Sequence, residues 1–233
     1  VTRACHDDVK YRISLESLIE AYYDCRKNKR TKNECVRFEF ERERSLIELQ
    51  QQIESGNYKP LPSKAFVVTY PTYREVFAAA FRDRIIHHWI ALRIEPIVER
   101  YFINDSYNCR KGKGTDYGVR RTVEMFEDAT DNWTRTAYVM KWDFAGYFMS
   151  IHKDILWQMV RRTVESNYNG DDKQALLYLL HCTIFNNPQN NCIRTSPIEM
   201  WEKLPQEKSL FTQNANIGLP IGNLTSQLFA NYY

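Results

Sequence analysis

With 233 residues, 43% of them hydrophobic and 26% charged, the chain can bury a sizeable core, which excludes a disordered or linker-dominated protein. Only 8 Gly and 8 Pro exclude collagen-like and low-complexity sequence, and no apolar run approaches the roughly 18 residues of a membrane helix. The net charge of +3 is uneven, +6 over residues 1–121 and −3 over 122–233, which points the first part towards a polyanion.

The segment Val1–Asp8 is polar and charged, so no signal peptide is expected. Residues 13–28 place Ile13, Leu15, Leu18, Ile19 and Tyr22 at helical spacing, with Ser14 positioned as a cap. The basic run Arg-Lys-Asn-Lys-Arg-Thr-Lys, 26–32, follows as a solvated connection. Residues 40–55 predict a second helix, with Leu46, Ile47, Leu49 and Ile53 on one side and Gly56 as its stop. The pattern then changes: 65–69 and 74–77 are β-rich runs around Tyr70-Pro-Thr-Tyr73, a strand–turn–strand signal.

Helices are expected over 78–100 and 115–129. A β-rich run over 136–142 ends at Asp143, and helices follow over 153–166 and 172–185. The polar stretch 186–216 reads as loops, and Gly218-Leu-Pro-Ile-Gly222 punctuates the chain before an apolar helix over 224–233. Helices first, then a mixture of short strands and long helices, give the class α+β. The six cysteines, at 5, 25, 35, 109, 182 and 192, include no Cys-x-x-Cys pair, so small buried thiols in a reducing cytoplasm are expected rather than zinc.

Four features could carry chemistry. Asp143 ends a β-rich run and is followed by Tyr147 and Phe148; a strand-end carboxylate facing a cleft can hold Mg²⁺, or it can equally cap the next helix. In Arg110-Lys-Gly-Lys-Gly114, basic residues alternate with glycine before a helix, which suits phosphate contact or a plain solvated turn. Gly218–Gly222 runs into a helix start and can bring backbone against a ligand. Arg74, in the expected hairpin, offers a planar guanidinium suited to phosphate, or to a surface ion pair. Arg82, Asp83 and Arg84 read as a structural ion-pair cluster, and His87 and His88 as packing or surface residues.

Taken in order, these blocks resemble reverse transcriptases over roughly residues 11–233. Tyr73-Arg-Glu-Val with Phe81-Arg-Asp-Arg-Ile-Ile-His-His resembles the first block of that family, and 102–115 the second. Asp143–Ile151 resembles motif A, and Gly218–Asn231 motif B. Ile221-Gly222 followed by Ser226-Gln227, where most of the family has Gln before the glycine and Pro after the serine, is similar to the diversity-generating retroelement type.

The resemblance implies an α+β right-hand polymerase, helix-rich with short antiparallel strands. It divides the chain into an N-terminal helical extension (1–60), fingers (61–135) and an incomplete palm (136–233). The implied activity is RNA-directed DNA polymerisation, error-prone, in the cytoplasm, copying template RNA into cDNA from dNTPs with two Mg²⁺ ions. The implied partners also include a small basic accessory protein, and no membrane. Asp143 and the Phe144 carbonyl would bind metal, with Asp143 catalytic. Arg74 and Lys64 would grip the triphosphate, Phe148 would exclude a ribose 2′-OH, and Ile221, Gly222 and Gln227 would lie at the nascent base pair. Ile221 in place of an amide would loosen base selection. Arg110, Lys111 and Lys113 would line the template.

The family's aromatic-x-Asp-Asp motif C occurs nowhere in the 233 residues, and Val1 is not a start methionine. Part of a longer protein is therefore expected, inactive as this piece alone. The alternatives are a group II intron or retron-like enzyme, against which Ile221 and Gln227 argue, and a non-catalytic RNA-binding module.

Overall fold

The computed structural model describes residues 10–233, so Cys5 and the polar segment Val1–Asp8 lie outside the described residues. Helix α1 (Leu15–Arg26) begins where Ser14 caps it: the Ser17 N–H donates to Ser14 Oγ at 3.2 Å. Its buried face is Leu18, Ala21, Tyr22 and Cys25, one stripe at helical spacing. After the basic connection come α2 (Asn33–Phe40) and α3 (Arg42–Glu54). The sequence predicts one helix over 40–55. The structure adds α2 before it, because Cys35 and Phe38 supply only a short apolar face that periodicity does not separate from the charged run.

Strands β1 (Ser63–Val68) and β2 (Arg74–Ala78) form the expected antiparallel hairpin, with Lys64 opposite Ala78 and Val68 opposite Arg74. Helix α4 (Phe81–Val98) follows, then α5 (Thr115–Thr130), the one-turn α6 (Tyr147–Ser150), α7 (Lys153–Asn167) and α8 (Lys173–Ile184). A third strand, β3 (Cys192–Arg194), lies in the stretch expected to be loops and pairs parallel to β1, Ser63 opposite Cys192. The sheet order is β2-β1-β3, so the sheet is mixed and the expectation of antiparallel strands alone is corrected. Three residues are too few to show a strand period. Helices α9 (Ile198–Glu202) and α10 (Leu224–Tyr232) complete an α+β fold, as expected.

The core is built around α4. Ile85, Trp89 and Ile90 are fully buried, and α1, α7, α8 and α10 pack on this helix. The Trp89 indole N–H donates to Ser17 Oγ at 2.9 Å, and the Arg93 guanidinium sits 3.7 Å from the Trp89 ring while pairing with Asp172. Truncating such a ring costs about 3–5 kcal/mol. Of the expected Arg82–Asp83–Arg84 ion-pair cluster, Arg82 and Asp83 do pair, whereas Arg84 turns away to Glu34 of α2. Asp83 is buried, pairs with Arg82, and accepts from the Tyr58 hydroxyl and the Leu61 N–H. Two expectations fail. Residues 136–142 form no strand; they are irregular and, apart from half-buried Ala137, exposed, with no neighbouring strand to take up their N–H and C=O groups. Cys109, expected to be buried, is exposed.

Candidate functional site

The hairpin alternates faces. Ser63, Ala65, Val67, Glu75 and Phe77 turn inward and are buried; Lys64, Val76 and Arg74 share the other face. The two expected phosphate-binding side chains thus lie on one face, at opposite ends of the ladder, about 13 Å apart along the strands.

Strand β2 is an edge, and the Gly218–Gly222 turn covers it. The Phe77 N–H donates to the Ile221 carbonyl at 2.7 Å, and the Ala79 N–H to Asn223 Oδ1 at 3.3 Å. The approach is close because Gly222 has no side chain and adopts φ +115°. A Cβ there would lie 2.6 Å from Val76 Cγ1 and 3.0 Å from the Phe77 carbonyl oxygen. The same turn grips α6 from its other side. The Leu219 N–H donates to the Phe148 carbonyl at 2.9 Å, and the Gly218 N–H to the Ile151 carbonyl at 2.8 Å. Beneath them Ala65, Phe77, Met149 and Leu210 form a small buried cluster, against which Phe148 and Ile221 pack.

Three blocks separated in sequence therefore converge: the Arg74 hairpin, the Phe148 turn and the Gly-Pro turn. Gln227 lies half-buried on the first turn of α10, its N–H directed to the Asn223 carbonyl. Asp143 and Phe144 sit just before α6 on the exposed irregular segment. Among the described residues no group of three or more His, Cys, Asp or Glu could hold a metal ion. One exposed carboxylate, Asp143, does not by itself make a two-Mg²⁺ site.

The basic Gly turn differs from expectation. Arg110 turns inward: its guanidinium donates to Glu99 Oε1 and to the Ile103 and Ser106 carbonyls, leaving the side chain 6% exposed. It braces the loop rather than facing a template. Lys113 Nζ donates to the carbonyl and side chain of Asn104. Lys111 alone of the three is fully solvent-facing. The loop is tied to α10, since the Asn231 side chain donates to the Asn108 carbonyl at 2.6 Å. Lys64 does not point to Arg74 but pairs with Glu34 of α2, which also pairs with Arg84.

Two side chains escaped the sequence reading, and a third, His87, does more than the packing or surface role expected of it. Glu75 is a charged residue at an inward strand position, a signal that alternation contains. It accepts from the Ser209 hydroxyl at 2.9 Å and from the Leu210 N–H, pinning the 204–212 segment to the hairpin. Burial raises its carboxyl above the ordinary range despite those two donors. Lys153, fully buried at the start of α7, donates to the Asn186 carbonyl and Asn187 Oδ1; burial pushes its ammonium down to about 8. His87, read as packing, bonds through Nδ1 to buried Thr225 Oγ1 at 2.6 Å and anchors the start of α10 on α4. Burial, helped by the nearby charges of His88 and Arg84, pushes its imidazole down to about 4.

No protein-family model matches the chain. It is 29% identical over 126 residues to Protein YkfC of Escherichia coli (strain K12), a match covering 52% of this chain and 32% of that protein. The match spans about a third of the relative's length, and its name states no activity.

Proposed function

We propose that the chain is the fingers and part of the palm of an RNA-directed DNA polymerase of the diversity-generating retroelement type. The observation that carries this reading is the seating of the Gly218–Gly222 turn between the Arg74 hairpin and the Phe148 turn, by backbone hydrogen bonds on both sides. These are three of the blocks on which the resemblance rests, and they lie together although up to 149 positions separate Arg74 from Asn223. On this reading Arg74 meets the triphosphate of a dNTP, and Phe148 and Gly222 shape the space for sugar and base. Asp143 is the metal-binding carboxylate, and a two-Mg²⁺ site needs further carboxylates beside it. Template RNA and cDNA, and a small basic accessory protein, are the partners the reading expects.

No helix among the described residues is long and apolar enough to cross a membrane. A second reading, a non-catalytic RNA-binding module, draws on the single unaccompanied carboxylate. Mg²⁺-dependent primer extension on an RNA template by the full gene product separates the two. Asp143→Asn is expected to abolish extension while leaving stability within about 0.5 kcal/mol, since the residue is exposed. Equal extension by the variant sinks the assigned role, and no extension by either protein favours the second reading.

A further inference from the structure

A groove on the outer face of the N-terminal helices is not used by the proposed chemistry. One cavity of about 530 Å³ is lined by Lys29, Thr31, Lys32, Asn33, Lys64 and Arg84, together with Glu34. A second, of about 490 Å³, shares Glu34 and Lys64 and continues past Arg37 and Arg82 along α2. The cations come from separate parts of the chain: the basic connection after α1, strand β1 and the first turn of α4. In the first cavity they outnumber acids by four to one.

Lys64 and Arg84 both contact Glu34, so this carboxylate already occupies a place where an anion is held by two cations. Burial alone would raise the Glu34 carboxyl; the two contacts outweigh it and hold it below the ordinary value. Lys29 and Lys32 make no ion pair among the described residues.

We infer that this groove binds the phosphate backbone of single-stranded RNA, with Lys29 and Lys32 as the cations without an ion pair and Glu34 as an internal anion that a phosphate displaces. The lining suits the acceptor oxygens of a phosphodiester. Apart from Glu34, the first cavity's side chains are cations or neutral groups able to donate: Thr31 and Asn33 beside the four basic residues. The phosphate oxygens accept from these donors, while the Thr31 hydroxyl and the Asn33 amide oxygen can also accept from a ribose 2′-hydroxyl. The two cavities join at Lys64, on the hairpin face that also carries Arg74, and the second runs on along 78–80, where Asn223 meets the Ala79 N–H, so a strand lying in the groove leads towards the candidate site. The choice of RNA over another polyanion rests on the polymerase reading; the cationic groove does not.

The test is fluorescence anisotropy with a short labelled single-stranded RNA, and polyglutamate as competitor, on the Asp143→Asn protein, in which turnover cannot obscure binding. Lys29→Ala/Lys32→Ala is expected to weaken binding about tenfold near physiological salt and to flatten the salt dependence by roughly 0.7 per lost contact. Glu34→Gln is expected to tighten binding, because the competing charge is gone. Both lysines are outside the core, and unchanged thermal melting confirms that the double variant folds. Unchanged RNA affinity in the double variant overturns the groove, as does weaker binding by Glu34→Gln. Polyglutamate displacing RNA at equal charge concentration overturns the choice of RNA. None of these results bears on primer extension by the unsubstituted protein, so failure here and failure of the polymerase reading remain distinct.

Discussion

Gly222 is where the turn, the hairpin and the small core beneath them meet, and adding one methyl group there tests the assembly. In Gly222→Ala the new Cβ lies 2.6 Å from Val76 Cγ1 and 3.0 Å from the Phe77 carbonyl oxygen, against backbone that has little room to retreat. At φ +115° an L side chain adds its own backbone strain, about 1–3 kcal/mol. Overpacking adds about 1–3 kcal/mol if the turn stays in place. If the turn lifts instead, the Phe77 N–H loses the Ile221 carbonyl, and an unmet buried donor costs about 1–3 kcal/mol.

Either route gives a loss of roughly 3 kcal/mol, or about 6–12 °C in melting temperature for a chain of this size. The assay is urea and thermal denaturation of the single variants and the pair with Val76→Ala. Truncating Val76 removes the atom in the closest contact, so the double variant is expected to recover the packing part of the loss and not the backbone part. A loss below about 1 kcal/mol, with no coupling to Val76, refutes the argument that this turn is seated on the hairpin.

Two further outcomes follow from the same region. His87 is held neutral in the fold with its imidazole near 4, whereas an unfolded histidine titrates near 6.5, so its contribution is full above pH 6.5 and is lost as pH falls from 6.5 to 4. That loss amounts to at most roughly 3 kcal/mol, and His87→Gln, which can still bond Thr225 but does not titrate, is expected to flatten the urea midpoint over this window relative to wild type. Parallel pH profiles for the two proteins would remove His87 from the account. On the polymerase reading, Ile221→Gln restores an amide at the base-pair position and is expected to lower the error rate, counted by sequencing extension products; an unchanged rate rejects the link between Ile221 and base selection.

The helical stripes were legible because each is long enough to repeat its period. Ser14 with Leu18 and Tyr22 of α1 is an example, and the β-rich run over 74–77 marked the place of β2. Short elements escaped: β3 is three residues, and its pairing with β1 depends on a partner 129 positions away, which no local pattern encodes. The candidate site divides in the same way. Gly222 was legible because a close backbone approach needs glycine, and the structure supplies the surface it approaches. Arg110 was misread because its charge suggests an exposed contact, while its fate is set by Glu99 and two carbonyls that fold brings around it. A cation's type is written in the sequence, but the groups that satisfy it are a property of the fold.

The segment around Asp143 poses the sharpest conflict between pattern and structure. Tyr138-Val-Met140, Trp142 and Phe144 form a nearly continuous apolar run, the composition of a strand buried on both faces. Yet Tyr138 is 96% exposed and Trp142 81%, and no strand flanks them. The neighbouring helix α5 likewise has no buried residue and exposes Val119, Val123 and Met125. Strand formation is a property of a pair, since each extended residue needs a partner for its N–H and C=O groups; without one, even strongly β-prone residues stay irregular and wet. Amide hydrogen exchange on this 233-residue chain is therefore expected to show no protection over 137–145, while the β1–β2 amides, paired and covered, exchange orders of magnitude more slowly. Protection of 137–145 comparable to that of β1 would refute this account and show that the run has found a strand partner, and Asp143 would then stand at the end of a true strand.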